Sequence, residues 1–536
     1  MTTPPDTFGA IRSLLQAPPS RESWDALCEL LEKVDARELE RTFAYAASLL
    51  ERWPDTLRVG GRGLLWAEEG THSARLQPLC RTLDFSNMRG TLRYYVGRGT
   101  PSEKPMALDM AKATRLDLST SQETFSDIGK LMTLAGMRSL REIDLSKSKR
   151  MRGNGDDAID ALGDAIANMT SPIALDLTKV DWAKRTLLER LFERAGEKIA
   201  SLSLSQSKQN GQTLPALARA KGGALRGIDL SRNRVCEHFG VDAMMKSGIL
   251  NQLEHLDLNR NDLRARNLRP MLDLLAPRVR TLGLTEVRRS DLVRDALQSN
   301  ISFPYLRALA VDTEGLPPSL DAPSLTELEL YPNGETVYDL PKHPVFSRLT
   351  RLVLRRGQDR GSIEGICARA DLSSLRSIEL DDVAASGTAI EGLARNPTAS
   401  RVERVRIVRP SMLNASSDAF ASLLELESLR ELEFERVTHG SGELAGLLSS
   451  PKLSMLQTLS LLDCSLTDSP IHSLFHNEAL TRLELLRFRQ TSKLSDVTLE
   501  MLVDPPHVPR HWRPSNHILE TRARRLREKT KKVPET

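Results

Sequence analysis

Residues 225–235 read LRGIDLSRNRV, and residues 253–263 read LEHLDLNRNDL. The two stretches start 28 residues apart and agree at five anchors. These are Leu225, Ile228, Leu230, Asn233 and Val235 in the first, and Leu253, Leu256, Leu258, Asn261 and Leu263 in the second. Both satisfy the pattern L-x-x-L-x-L-x-x-N/C-x-L at every anchor. A third copy, LQTLSLLDCSL at 456–466, satisfies it through Leu456, Leu459, Leu461, Cys464 and Leu466. The central L-x-L sets two apolar side chains on one face of a short strand. One strand cannot cover that face, so copies must stack on one another.

Looser copies extend the series from Leu83/Phe85 to Leu483/Leu485, giving 16 candidate strands over residues of about 79 to 490. Most steps are 24–28 residues; 33 and 32 occur early, and 19 separates Leu309 from Leu328. The intervening segments DDAIDALGDAIANM (156–169), DWAKRTLLERLFERAG (181–196), RSDLVRDALQSN (289–300) and SSDAFASLLEL (416–426) carry apolar residues at helical spacing. Helices are therefore expected outside an inner parallel sheet. One stretch breaks the rhythm: residues 312–348 are short of helix and rich in proline, including Pro332, Pro341 and Pro344, so an extended outer wall is expected there.

A period of 26–28 residues with an outer helix resembles the ribonuclease-inhibitor-like class of leucine-rich repeat proteins. The resemblance implies an α/β solenoid, with a curved parallel sheet inside, helices outside and a protein-binding concave face. The asparagine position is patchy: Asn233, Asn261 and Asn333 fill it, Asn87 misses it by one, and Val180, Val287, Val383, Val437 and Phe488 stand there elsewhere.

The ends do not repeat. Residues 1–75 read as three helices (7–17, 20–34 and 35–53) around Trp24, Leu27, Leu31, Leu39, Phe43, Leu50 and Trp53. They are expected to form an all-α cap on the first repeat, with Asp35 and Glu38 at capping-box spacing. The array is expected over 76–490, and a C-terminal cap with a basic tail over 491–536. From Arg510 onward nine Lys/Arg stand against three Glu, in a chain whose formal net charge is +4. Without a nucleic-acid fold, that tail is read as solvated, not as a nucleic-acid site.

Composition narrows the class. Hydrophobic residues are 40% and aromatics only 4%, which describes a leucine-based core. Five scattered cysteines without a CxxC pair fit neither a disulfide framework nor a zinc site. No secretory signal or membrane span is read, so a cytoplasmic monomer is expected, and arginine far outnumbering lysine suggests a bacterial source.

The residue between the two leucines should point away from the core. Along the array it reads Asp84, Asp117, Asp144, Asp176, Ser203, Asp229, Asp257, Gly283, Ala310, Glu329, Val353, Glu379, Arg406, Glu433, Ser460 and Glu484. This row is either the solvated polar face usual in such repeats or an acidic stripe for a basic partner. From residue 351 onward charges of both signs mingle and can pair between rungs. The residues expected to meet a protein partner are Asp229, His255, Asp257, Asn259, Glu329, Tyr331, Arg351, Arg355, Glu379, Asp381, Arg404, Arg406, Glu431, Glu433 and Glu435. Tyr331 is the expected anchor.

No catalytic residue, metal site or cofactor is read. His472 and His476 lie at i, i+4 without a metalloprotease glutamate, Pro509 separates His507 from His511, and Cys464 belongs to the repeat core. The expected function is a non-catalytic protein-interaction scaffold. Two alternatives stand beside it: a GTPase-activating regulator, because Ran GTPase-activating proteins use a similar array, and the target-recognition part of an effector or ligase adaptor.

Overall fold

The computed structural model describes residues 7–503, apart from 18, 36, 62–71, 87–109, 135, 149–155, 181–184, 208–213, 221–222, 234–237, 262–264, 288–289, 299–300, 333–338, 358–359, 384–385, 411–417, 438–440 and 490–493. Asn87, Asn333, His507, His511 and the basic tail lie outside the described residues. The chain divides into two compact units, Met1–Val279 and Arg280–Thr536.

The first unit begins with helices Thr7–Gln16, Arg21–Glu32 and Leu39–Leu50, which bury Ile11, Leu15, Trp24, Leu27, Leu31, Leu39, Ala46, Leu50 and Trp53. Among the described residues eight strands follow: β1 (Val59–Gly60), β2 (Thr82–Asp84), β3 (Arg115–Asp117), β4 (Glu142–Asp144), β5 (Ile173–Asp176), β6 (Ile199–Ser203), β7 (Gly227–Asp229) and β8 (His255–Asp257). Each pairs in parallel with the next. Among the connecting helices are Phe125–Leu134, Asp156–Ala167 and Arg185–Ala195. The first two approach so closely that a Cβ on Gly129 would lie 2.5 Å from the Ala161 carbonyl oxygen.

Among its described residues the second unit has nine strands: β9 (Thr281–Leu284), β10 (Ala308–Asp312), β11 (Glu327–Tyr331), β12 (Arg351–Gly357), β13 (Ser377–Val383), β14 (Arg404–Val408), β15 (Glu431–Glu435), β16 (Thr458–Leu462) and β17 (Leu485–Arg489). They too pair in parallel in chain order. Helices Ser290–Gln298, Arg360–Arg369, Ser386–Arg395, Ser441–Ser449, Asp468–His476 and Asp496–Val503 lie between or after them. The fold is an α/β leucine-rich repeat solenoid. Its core is the column of L-x-L residues, such as Ile228 with Leu230, and Leu459 with Leu461, all buried.

Two backbone devices recur. First, the carbonyl before a strand accepts two N–H groups from the next rung: Arg280 O takes Arg307 N at 2.8 Å and Ala308 N at 3.0 Å, and Arg376 O takes Glu403 N at 2.8 Å and Arg404 N at 3.0 Å. Second, the residue two beyond the second leucine adopts a left-handed conformation. Thr120, Lys147, Lys179, Gln206, Arg232, Arg260, Glu286, Asp382, Arg409, Arg436 and Asp463 all have φ between 49° and 62°. None is glycine, so each carries a cost of roughly 1–2 kcal/mol. The turn is held from the next rung, as where Lys147 N donates to Thr178 O at 2.7 Å and Asp463 N donates to Arg489 O at 2.7 Å.

Three consecutive rungs lack this turn. The equivalent residues are Thr313, Pro332 and Arg356. A proline ring holds φ near −65°, so Pro332 cannot make the turn. Among the described residues, the outer segments after β10 and β11 contain only the short 3-10 turns Thr313–Gly315, Leu340–Lys342 and Phe346–Arg348, while the segment after β12 carries helix Arg360–Arg369. Glu286 N, the last turn before this stretch, donates to the Asp312 carboxylate oxygens, both at 3.0 Å. Ser290 Oγ donates to the same carboxylate at 2.8 Å. Burial pushes the Asp312 carboxyl above the ordinary carboxylate range, against these hydrogen bonds.

The ladder position behaves as its chemistry dictates. Asn233 Nδ2 donates to Leu204 O at 2.8 Å and Leu230 O at 3.0 Å; Asn261 Nδ2 donates to Leu230 O at 2.9 Å and Leu258 O at 3.0 Å. Ser207 Oγ serves Leu177 O at 2.7 Å, and Cys464 Sγ serves Phe434 O at 3.5 Å. Burial pushes the Cys464 thiol up to about 11, so it keeps the proton it donates.

Several expectations need correction. Strand β1 lies at Val59–Gly60, where the sequence offers no L-x-L. The last rung is read three residues too early: β17 pairs Leu459 with Leu486 and Leu461 with Phe488, so Phe488 is a core residue, not a ladder residue. Its outward middle residue is therefore Arg487, not Glu484. Asp35 and Glu38 form no capping box; Asp35 Oδ1 accepts from Arg37 N at 2.9 Å, and Glu38 makes no side-chain cap. The helix read at 416–426 is a single turn, Ala419–Ser422, continued by a 3-10 turn.

Two stability outcomes follow. Arg232→Val should lose about 1–2 kcal/mol in chemical denaturation while Arg232→Gly is neutral or gains up to about 1 kcal/mol, because a β-branched residue is more strained than arginine at positive φ and glycine is not strained there. Asn261→Ala should cost about 1–3 kcal/mol by orphaning buried carbonyls, more than Cys464→Ala at about 1 kcal/mol, since a thiol is the weaker donor.

Candidate functional site

The two units use their open faces differently. In the first, the outward middle residues align in register: Asp84 beside Asp117, then Asp144, Asp176, Ser203, Asp229 and Asp257. Like charges at neighbouring strand positions repel. Each aspartate has a local task that outweighs this. Asp117 Oδ1 accepts from Ser119 N at 2.9 Å, Asp144 from Ser146 N at 2.8 Å, Asp176 from Thr178 N at 2.8 Å, Asp229 from Ser231 N at 2.8 Å and Asp257 from Asn259 N at 2.8 Å. These are Asx turns, which the short aspartate side chain reaches and glutamate does not. At the serine interruption, Ser203 Oγ donates to Asp229 Oδ2 at 3.2 Å. Thus Asp229, Asp257 and Asn259 build the strand exit, and His255 is exposed at the start of β8.

In the second unit the face over β11–β15 is a charge lattice. Three rows run across the strands. The first reads Glu327, Arg351, Ser377, Arg404, Glu431; the second Glu329, Val353, Glu379, Arg406, Glu433; the third Tyr331, Arg355, Asp381, Val408, Glu435. No two like charges are neighbours in any row. Arg355 Nε reaches Glu329 Oε1 at 2.8 Å, and its Nη1 reaches Asp381 Oδ2 at 2.7 Å and Glu379 Oε1 at 3.6 Å. Arg406 touches Glu435 at 2.7 Å, Glu433 at 3.0 Å and Glu379 at 3.4 Å. Arg351 lies 3.4 Å from Glu327 and 3.8 Å from Glu379, and Arg404 lies 3.5 Å from Glu431 and 3.6 Å from Glu433.

Glu379 is the hub, 7% exposed and within reach of Arg351, Arg355 and Arg406. Asp381 is also buried, and Val353 fully so. Glu379 and Asp381 were expected to face a partner, but the long arginine side chains beside them exclude solvent. Burial alone would lower the pKa of Arg355; the carboxylates of Glu329 and Glu379 and the hydrogen bond to Glu329 more than reverse it, so the net shift is upward. Arg406 shows the same balance, with Glu435, Glu379 and Glu433 overriding burial.

The structure brings together eleven of the expected residues, Glu329 to Glu435, within the second unit; Asp229, His255, Asp257 and Asn259 belong to the first. Tyr331 is half-buried at the end of β11. Arg409, which binds Asp381 at 2.6 Å, was missed because it occupies the left-handed turn, a row without apolar anchors. Arg489, held to Asp463 at 2.6 Å, was missed with the frame of the last rung. The signal available was the mixing of both charge signs at steps of 24–27 residues in rows flanking the leucines.

His472 and His476 lie on helix Asp468–His476 with ring centroids 6.3 Å apart, and His472 Nε2 meets Thr498 Oγ1 at 3.0 Å. Among the described residues no group of three or more His, Cys, Asp or Glu is placed to hold a metal ion, and no helix is long and apolar enough to cross a membrane.

Glu379→Ala should cost about 1–3 kcal/mol in urea unfolding, because it strips a shared anion from three guanidiniums. Arg404→Ala, whose side chain is 50% exposed, should cost under about 1 kcal/mol. Equal costs would show the lattice has no hub.

No protein-family model matches the chain, and no curated protein matches it. Among solved structures it is similar to the complex of Rad7 and Elc1 in yeast, at 15% sequence identity and a TM-score of 0.39, covering 64% of this chain and 85% of that chain.

Proposed function

We propose that the chain is a non-catalytic scaffold that binds a protein partner on the concave side of its repeat array, through the charged face of β11–β15. The observation that carries this reading is that no two like charges are neighbours in any row of this face. A lattice already held by its own ion pairs presents fixed donors and acceptors, so a partner loses little side-chain entropy from this side. Alternating charge also selects register and rejects mismatched surfaces, which is the usual contribution of electrostatics to recognition. The N-terminal helices are read as a cap over the first strand, a role favoured by the hydrogen bond from Trp24 Nε1 to Val59 O at 2.9 Å.

Charge reversal at Glu433 or Glu435 is a poor test, since it would dismantle the pairs to Arg404 and Arg406. Arg404 and Glu431 are better targets, their side chains being 50% and 49% exposed and weakly paired at 3.5 Å. The full chain and its Arg404→Ala/Glu431→Ala variant should be used to capture partners from the native cell. Specific capture should fall at least tenfold at unchanged melting temperature. Equal capture by both proteins would remove this face from the function.

A further inference from the structure

His343 sits in the turnless part of the second unit, 5% exposed, between two outer segments. Its two ring nitrogens have distinct tasks. Val345 N donates to Nδ1 at 3.1 Å, so Nδ1 carries no proton. Nε2 lies 2.8 Å from Pro317 O and must therefore be the protonated donor. The ring edge meets Phe346 with centroids 6.4 Å apart. This neutral tautomer ties the segment 340–348 to the preceding outer segment at Pro317. On its far side the same segment is seated on helix Arg360–Arg369, where a Cβ on Gly365 would lie 2.9 Å from Pro341 Cγ.

We propose that His343 is an acid-sensitive latch that holds the outer wall of β10–β12 closed while its ring is neutral. A second proton can go only on Nδ1. It would set N–H against the Val345 N–H and place a cation in a buried site beside Arg348. Arg348 is the charge acting on the ring; Glu314 and Asp321 lie on the preceding segment, Asp339 and Lys342 on its own, and Glu364 and Arg369 on the following helix. Burial first, and Arg348 with it, pull the imidazole below its ordinary 6.5, against the hydrogen bond to Pro317. The unfolded or opened segment then binds more protons than the closed one. The closing contribution is present above that ordinary value and is lost as pH falls below it. Among the described residues no α-helix lies between β10 and β12, so ties such as the one to Pro317 must hold the wall.

Amide hydrogen exchange on the full chain at pH 7.5 and 5.5, corrected for intrinsic rates, tests this. Protection of the amides at 319–322 and 345–349 should fall by up to about tenfold per pH unit below the ordinary histidine value. Helix Arg360–Arg369 and strands β14–β16 should not change. His343→Gln, which can keep a donor toward Pro317 without titrating, should abolish the pH effect. Loss of protection spread evenly over the unit, no loss in these two segments, or the same loss in His343→Gln would each overturn the latch. If the variant does not fold, the comparison of segments within the natural chain decides alone.

Discussion

The rungs of this fold leave the sheet two residues after their second leucine, and among the described residues eleven of these exits are left-handed without being glycine. Most of the described rungs are tied to their neighbours through that exit. It turns the chain out of the sheet and, where its bond is seen, ties one rung to the next, while neighbouring strands lie in parallel about 4.8 Å apart with or without it. The cost of these residues at positive φ is tolerated because each turn N–H for which a bond is seen, from Thr120 to Asp463, is satisfied by the neighbouring rung. Repetition thus converts a locally unfavourable conformation into a shared one.

Where the turn is lost, the substitutes show what it had supplied. Pro332 forbids it, and the described outer wall there falls to short 3-10 turns. The Asp312 carboxylate takes the place of a backbone acceptor for Glu286 N, at the cost of a buried acid. His343 then fastens two outer segments, a task that packed helices perform elsewhere. Beside the rung where Pro332 forbids the turn, a buried acid and a buried histidine supply the ties.

How much of this is legible in the sequence depends on chain position. Leucine pairs report the strands because burial on one face of a short strand forces alternation, and the proline run at 312–348 reports the change in the outer wall. Two-residue β1 has no such pattern to offer, and the last rung is ambiguous because LTRLELLRF contains two adjacent frames, Leu483/Leu485 and Leu486/Phe488. The outward rows give their residue types but not their tasks. Asp229 and Glu379 occupy the same repeat position and look equivalent, yet one serves its own backbone and the other serves three arginines.

Strand length separates those two cases. In β7 and β8 the strands end at the middle residue, so the N–H two positions later is outside the sheet and an aspartate is needed to receive it. In β13–β15 the strands run two or more residues further, and that N–H belongs to a sheet residue such as Asp381 or Glu435. The middle side chain is then released from local duty. Glutamate becomes possible there, and its longer reach makes pairing with an arginine on the next rung the favourable use of the charge. The lattice is therefore a consequence of longer strands, and the face that carries it is the one whose backbone no longer needs its side chains.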